Sequence, residues 1–295
     1  TEAKKKKKKK KPVPPATSYV SVATWGGLGT ANGQFDNPDG IAVTPDGQTV
    51  FVADTNNSRV QKFTGAGDHL ASYGAQGSGA GQFDAPFAVA LFGTDVVVAD
   101  GNNNRVQTID SNGAFGAPFG QAGTANGEFN VPRGIAFRGS IYVADRDNHR
   151  IQKFSSAGVH QLTWGSEGTA NGQFRRPFAV AVDSANNVYV TDVDNSRVQK
   201  FDANGVHLLS WGTAGSGNGQ FNVPEGIATD RDGNVYVADT LNHRIQKFTS
   251  AGVFVTSIGS AGSGATSPTP TASTPSPWGR LPASPSPNRA CAQGF

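Results

Sequence analysis

The 295-residue sequence contains no methionine and a single cysteine, Cys291, near its C-terminus. One cysteine cannot form an internal disulfide framework, so packing and hydrogen bonds must hold any fold together. No run of 18 or more apolar residues is present, so we expect no membrane-spanning segment, and no signal peptide is visible at Thr1. Because no initiator methionine is present, we expect the chain to be processed or a fragment.

Positive charge is concentrated at the two ends of the chain. Residues 1–18 contain eight lysines and one acid, and residues 265–295 contain two arginines and no acid. Residues 19–264 therefore carry a net charge of −6 within the formal total of +3. An acidic central part argues against a nucleic-acid-binding surface there.

The composition divides the chain into three parts. Residues 1–18 combine the lysine run with prolines, and self-repulsion should keep this N-terminal tail disordered. Residues 265–295 are a low-complexity tail rich in Ser, Thr and Pro that cannot bury a core. Residues 19–264 are predicted to form one folded domain.

The central part is a repeat of about 46 residues that occurs five times. Its clearest segments are 52–63, 98–109, 143–154, 190–201 and 237–248, beginning with VADTNNSRVQKF. Each contains an aspartate, and these aspartates are spaced by 46, 45, 47 and 47 residues. A regular period of this length is typical of stacked supersecondary units.

Each repeat contains four short β-type runs separated by turn residues. Asp46-Gly47 separates the first two runs, and Asn204-Gly205 separates the last two. Such pairs provide the positive φ angles that tight hairpins require. Four antiparallel strands repeated without a helix predict an all-β fold, a β-propeller.

The repeat unit closely resembles the NHL repeat. The shared pattern is P-x-G-I-A-V-x-x-x-G-x-V-Y-V-A-D-T-x-N-x-R-V-Q-K-F, present five times over residues 25–259. The resemblance implies a propeller, usually with six blades, in proteins that mostly bind other molecules. Some relatives are enzymes, such as the peptidyl-amidating lyase, and others bind RNA or protein. Many bacterial members are secreted or lie on the cell surface.

The number of runs predicts a ring that lacks part of a blade. Residues 19–26 match the fourth run of a blade, and five complete sets of four runs follow. The pattern starts again at Gly259 but is lost at residues 265–268. We therefore expect five complete four-stranded blades plus an orphan N-terminal outer strand, in an incomplete six-blade ring. Self-association could complete the open blade.

Every repeat contains an aspartate and an arginine five positions later. As an acid and a base they could serve catalysis, but an active site is needed once and these pairs recur in every copy. We interpret them as structural, with the aspartate capping a turn and the arginine bridging to a nearby carboxylate or carbonyl. The pairs are Asp54/Arg59, Asp100/Arg105, Asp145/Arg150, Asp192/Arg197 and Asp239/Arg244.

The histidines do not suggest a metal site. His69, His160 and His207 occupy equivalent places in different outer strands, which lie too far apart to share one ion. His149 and His243 precede repeat arginines and should face solvent. The zinc-binding histidines that the lyase relatives use around the channel have no clear counterpart here. We expect no metal and no cofactor, and no nucleophile elbow or catalytic cysteine is present.

Candidate ligand-binding residues are found where the copies differ. The residue after each blade proline is Asp39, Phe87, Arg133, Phe178 or Glu225, and Arg146 is one of five different residues that follow the repeat aspartate. Because folding tolerates variation there, Phe87, Arg133, Arg146 and Phe178 are candidate anchors. Ordinary drift on exposed loops is the alternative explanation.

The sequence favours a non-catalytic binding or scaffolding propeller over an enzyme. The expected ligand is a protein, peptide or glycan held on one ring face, and the family resemblance places the protein outside the cell or on its surface. A metal-dependent lyase or hydrolase with its site at the central channel is one alternative. RNA binding, which would depend on the lysine tail, is a weaker one.

Overall fold

The computed structural model of the protein describes residues 23–261. Both predicted tails lie outside the described residues, as do residues 19–22 of the predicted orphan strand. The described chain is all-β, with five blades arranged in a ring, which confirms the predicted propeller and its number of complete blades. Its few helical turns are each three residues long, and none within residues 23–261 could cross a membrane.

The blades follow one another along the chain, and each runs from the ring centre outwards. Blade 1 contains β1 (Pro38–Val43), β2 (Thr49–Asp54), β3 (Arg59–Thr64) and β4 (His69–Tyr73). Blade 2 contains β5 (Pro86–Phe92), β6 (Asp95–Asp100) and β7 (Arg105–Ile109). Blade 3 contains β8 (Pro132–Phe137), β9 (Ile141–Asp145), β10 (Arg150–Phe154) and β11 (His160–Trp164). Blade 4 contains β12 (Pro177–Val182), β13 (Val188–Asp192), β14 (Arg197–Phe201) and β15 (His207–Trp211). Blade 5 contains β16 (Pro224–Thr229), β17 (Val235–Asp239), β18 (Arg244–Phe248) and β19 (Phe254–Ile258).

The hairpins form where the turn residues predict them. In blade 4, the Asp202 carboxylate accepts the backbone N–H groups of Asn204 and Val206 at 2.8 and 2.9 Å. Gly205 completes this turn with φ at +77°, a value that costs a glycine little. The second strand of blade 4, β13, is buried along its whole length because a neighbouring blade covers each of its faces.

Blade 2 has an irregular outer segment. It pairs with β7 only at two bridges, Ile109 with Phe115 and Val106 with Phe119. The equivalent pairs in blade 4 are Phe201 with His207 and Val198 with Trp211, and there they are part of a continuous strand pairing. Between the two bridges, the Gly116 N–H donates to the Thr108 carbonyl at 3.0 Å, and Pro118 occupies a position whose N–H would face the outer edge of the blade. The fourth run is therefore present here without forming a continuous strand.

Apolar side chains join successive blades at four seams. One cluster lies between each pair from blades 1 and 2 to blades 4 and 5. Among the described residues, no such cluster joins blade 5 to blade 1, where Arg231 Nη2 donates to the Pro45 carbonyl at 2.8 Å. Ile245 of blade 5 is partly exposed, whereas its equivalents are fully buried: Val60, Val106, Ile151 and Val198.

Trp25 covers the free face of blade 1. Its ring centroid lies 4.7 Å from that of Phe63 and 6.1 Å from that of Phe35. Its ring also lies over Gly67 of blade 1, in the same way that Trp164 of blade 3 lies over Gly205 of blade 4. Residues 23–27 form no strand, yet Trp25 occupies the place that an outer-strand aromatic of a preceding blade would take.

The five innermost strands surround a narrow central channel. Its volume is about 200 Å³, and its wall consists of residues 41–43, 89–91, 135–137, 180–182 and 227–229. The inner strands lie so close that a Cβ on Gly134 would stand 2.5 Å from the Phe178 carbonyl oxygen of the next blade. Thr229 is the only wall residue of the channel with a polar side chain.

Candidate functional site

Each repeat aspartate is the buried centre of a hydrogen-bond network. In blade 3, Asp145 is fully buried and accepts the backbone N–H of Asn130 at 2.7 Å. It also accepts Arg150 Nε at 2.6 Å, Gln152 Nε2 at 3.0 Å and Asn148 Nδ2 at 2.9 Å. The ion pair recurs in all five blades at 2.6 to 2.8 Å.

The network differs in detail from the predicted turn cap. The aspartate side chain makes no capping bond to the helical turn that follows it. It binds instead the loop that leads into the innermost strand of its own blade, and Arg150 donates to the Glu128 carbonyl of that loop at 2.8 Å. The asparagine and glutamine of the network were not predicted, although both recur in all five copies, which was the available signal.

Three of the histidines belong to another repeated arrangement. His207 Nε2 lies 2.7 Å from the Ser210 hydroxyl, which donates to Asn171 at 3.1 Å. His69 and His160 make the same contacts in their blades. Burial, with a contribution from Arg197, lowers the pKa of His207 below its ordinary value. These contacts link each outer strand to a neighbouring loop.

Residues 23–261 contain no metal-ligand group, and the wall of the central channel carries no titratable side chain. Within residues 23–261, no three His, Cys, Asp or Glu side chains are grouped closely enough to hold a metal ion. The wall of the channel is formed by aliphatic side chains, one phenyl ring and Thr229. Acid–base chemistry needs a titratable group within hydrogen-bond reach of the substrate, and this wall offers none.

The five residues after the blade prolines form a "mouth cluster" at one end of the channel, defined as Asp39, Phe87, Arg133, Phe178 and Glu225. Here the inner strands begin, and we call this end of the ring the proline face. The Arg133 guanidinium lies 3.7 Å from the ring centroid of Phe87 and 4.5 Å from that of Phe178. Its Nη1 donates to Asp39 of the non-adjacent blade 1 at 3.1 Å. Four members of the cluster, from blades 1 to 4, are therefore in contact with one another at this mouth of the channel.

Beside the mouth cluster lies a cavity of about 210 Å³, which we call the arginine pocket. Blades 3, 4 and 5 contribute its lining residues: Arg133, Arg146, Arg176, Phe178, Val193, Asp194, Val223 and Glu225. Three of the four predicted anchors, Arg133, Arg146 and Phe178, thus line one cavity. Phe87 does not line it and packs behind Arg133.

Two arginines of the pocket have hydrogen-bonding capacity that residues 23–261 do not use. Arg146 Nη1 donates to Asp147 at 2.9 Å. The Arg176 guanidinium lies 3.6 Å from the Asp194 carboxylate and 4.0 Å from that of Asp147, too far for good hydrogen bonds. Burial raises the pKa of Asp147, an effect that the nearby His149 and Arg133 oppose and Asp194 reinforces.

Arg176 was not among the predicted residues. It precedes a blade proline, at a position where the other copies have Asn37, Ala85, Val131 and Val223. All five have positive φ, between 50° and 59°, so the backbone gives no reason to prefer arginine. The available signal was the disagreement among the copies at the residue before the proline, two positions before the candidate residues that follow it.

Comparison with known proteins agrees with the repeat and the fold. The NHL repeat profile matches residues 35–63, 129–154, 174–201 and 221–248. The chain belongs to the NHL-repeat propeller family. The profile does not match the second copy, in which Thr108-Ile109 replaces the usual Lys-Phe, although that copy also folds as a blade, with an irregular outer segment.

Solved structures with the same fold include enzymes and binding proteins. Virginiamycin B lyase of Staphylococcus aureus, in complex with quinupristin, is 17% identical with a TM-score of 0.57, covering 77% of this chain and 71% of that one. A chain of the nidogen/laminin complex is 16% identical with a TM-score of 0.58, covering 75% and 80%. The WD40 repeats of RRP9 are 12% identical with a TM-score of 0.56, covering 73% and 61%. No curated protein sequence matches the chain. These similarities concern the fold alone.

Proposed function

We propose that this NHL-repeat propeller is a non-catalytic binding or scaffolding protein that holds a polypeptide on its proline face. The observation that carries the proposal is the arginine pocket, whose three arginines each occur at a position where no other copy has an arginine. The five copies serve as internal controls. A residue needed for folding recurs in each of them, as the buried aspartate does, whereas Arg133, Arg146 and Arg176 each have different residues at the equivalent positions.

The size of the pocket favours a polypeptide over a free small molecule. Pockets that enclose drug-sized ligands usually measure about 300–1,000 Å³. A cavity of about 210 Å³ fits one side chain, with the rest of the ligand lying across the proline face. The aliphatic channel wall and the absence of a metal-ligand group within residues 23–261 support binding over catalysis.

Selection of peptides by phage display would test the proposal. A random library, first cleared on immobilised polylysine to remove ligands of the lysine run, is selected on the full chain. Enriched peptides are then measured by fluorescence anisotropy on Val193→Arg, which fills the pocket, and on Thr94→Arg, an exposed site in the β5–β6 hairpin at the far end of the ring. We expect at least about tenfold weaker binding to Val193→Arg and unchanged binding to Thr94→Arg.

Arg176→Ala provides a second variant with an exposed side chain, in case Val193→Arg perturbs the fold, and thermal unfolding checks both. Peptides that bind all variants alike would overturn the proposed face. A library that yields no binder would overturn the polypeptide ligand and leave a glycan as the class to test. We also propose an extracellular or cell-surface location, on the family resemblance alone. Recovery of the protein from the cytoplasmic fraction of its source cells would contradict it.

A further inference from the structure

The geometry points to a carboxylate as the group that the arginine pocket binds, supplied by an acidic side chain or by the free C-terminus of a polypeptide. This inference rests on the proposed function and names the chemistry of the same site. It starts from Arg146 and Arg176, which come from different blades and line one cavity beside an apolar surface formed by Phe178.

Arg176 is the first reason for this assignment. Its side chain is 46% exposed, and its ion pairs with Asp194 and Asp147 are long, at 3.6 and 4.0 Å. Among residues 23–261, no group accepts a hydrogen bond of normal length from its guanidinium. A guanidinium presents its donors as a planar fork that matches a carboxylate with two parallel bonds. Arg176 is therefore placed to bind such a group without breaking a strong internal contact.

Arg146 and the apolar part of the pocket wall also fit a carboxylate ligand. Arg146 is held by one bond from Nη1 to Asp147, so its other nitrogens can donate to a ligand. Its side chain is only 18% exposed, which strengthens a charge-assisted bond at this place relative to open solvent. Phe178, Val193 and Val223 can cover the short apolar stem that connects a carboxylate to a peptide backbone.

The surrounding charges oppose a doubly charged anion more strongly than a singly charged one. The wall has three arginines against Asp194 and Glu225, which leaves one positive charge. Two more carboxylates lie next to this wall, since Asp147 pairs with Arg146 and Asp39 pairs with Arg133. Together, the three arginines and four carboxylates have a net charge of −1. A phosphate with two charges would be repelled by these four carboxylates. A carboxylate gains the fork-shaped hydrogen bonds and meets less repulsion.

NMR of the arginine side chains of the full chain would test the inference. The probes are N-acetyl-glutamate N-methylamide, its neutral glutamine analogue, N-acetyl-alanine with a free carboxylate, and inorganic phosphate. We expect the two carboxylates to shift the Nε–H signals of Arg146 and Arg176 saturably, while the glutamine analogue leaves them unchanged. The stronger of the two carboxylates identifies a side chain or a chain terminus as the source. Because only pocket signals are followed, the lysine run does not interfere.

Matched variants complete the experiment. Arg176→Gln should weaken the carboxylate about tenfold, the loss expected for one charge-assisted pair. Arg138→Gln, an exposed arginine at the other end of β8, should leave the affinity unchanged. Equal binding of the glutamine analogue, stronger binding of phosphate, or equal losses in both variants would overturn the inference. If Val193→Arg weakens the binding of the selected peptides but removing their carboxylates does not, the inference fails and the proposed function stands.

Discussion

Replacing Asp145 by asparagine tests whether the repeat aspartates hold the blades together. The substitution keeps the size of the side chain but replaces one acceptor oxygen with an NH2 group. In the native protein the Asp145 carboxylate accepts bonds from Asn130, Asn148, Arg150 and Gln152. In Asp145→Asn, the new NH2 group would face N–H donors where the native oxygen accepts their hydrogen bonds. The Arg150 guanidinium, which is only 11% exposed, would also lose its counter-charge.

The expected loss is about 3–5 kcal/mol, the usual cost of removing one partner of a buried ion pair. A domain is stable by only about 5–15 kcal/mol in total, so this change should open blade 3 or unfold the propeller. Urea unfolding followed by far-UV circular dichroism measures the loss, and hydrogen exchange shows whether β8–β11 lose protection first. Asp147→Asn, a partly exposed carboxylate on the adjacent turn, is the matched control.

A loss of less than about 1 kcal/mol, the range of an exposed pair, would refute this reasoning. A loss equal to that of Asp147→Asn would do the same. The double variant Asp145→Asn/Arg150→Met adds an independent check. Because it removes both charges, it should cost less than the sum of the single changes, with a coupling of about 1–3 kcal/mol.

Three further predictions concern other parts of the propeller. Gly134→Ala should cost about 3 kcal/mol or more in urea unfolding, because the new Cβ would stand 2.5 Å from the Phe178 carbonyl oxygen. Trp25→Ala should cost about 2 kcal/mol, roughly half the loss for a fully buried tryptophan, because Trp25 is partly exposed above Phe63. His207→Phe should reduce the fall in melting temperature between pH 7.5 and pH 5.5. Burial lowers the folded-state pKa of His207, so the unfolded chain takes up more protons and stability is lost as pH falls below about 6.5.

Each of these predictions has a matched control. Gly27→Ala adds a Cβ that meets no atom within 4 Å, and a comparable loss there would contradict the explanation by backbone contact. Trp25→Phe should retain most of the stability that Trp25→Ala loses. Leu208→Ala lies next to His207 on β15 and should leave the pH dependence unchanged. An unchanged pH dependence in His207→Phe would show that other groups cause it.

Much of the fold was predictable because the copies confirm one another. Runs in which apolar and polar residues alternate, separated by Asp-Gly or Asn-Gly turns, identify the hairpins locally. Because the same two hairpins recur five times, the repeat shows that together they form one blade. The fourth run of blade 2 was the local exception, since it recurs in the sequence but pairs with β7 at only two bridges. Of the four candidate anchors named from disagreement among the copies, Arg133, Arg146 and Phe178 line the arginine pocket and Phe87 does not, while Arg176 lines it without having been named.

The sequence by itself determined the repeat, the five blades and the aspartate–arginine pair of each buried network, because these depend on contacts within about 30 residues along the chain. Only the tertiary structure decided which side chains from different blades meet. Asp39 and Arg133 are 94 residues apart and form an ion pair across the mouth of the channel. Arg146 and Arg176 likewise line one pocket because blades 3 and 4 are neighbours in the ring. Local periodicity specifies strands, but only the closure of strands around a common axis brings equivalent positions together.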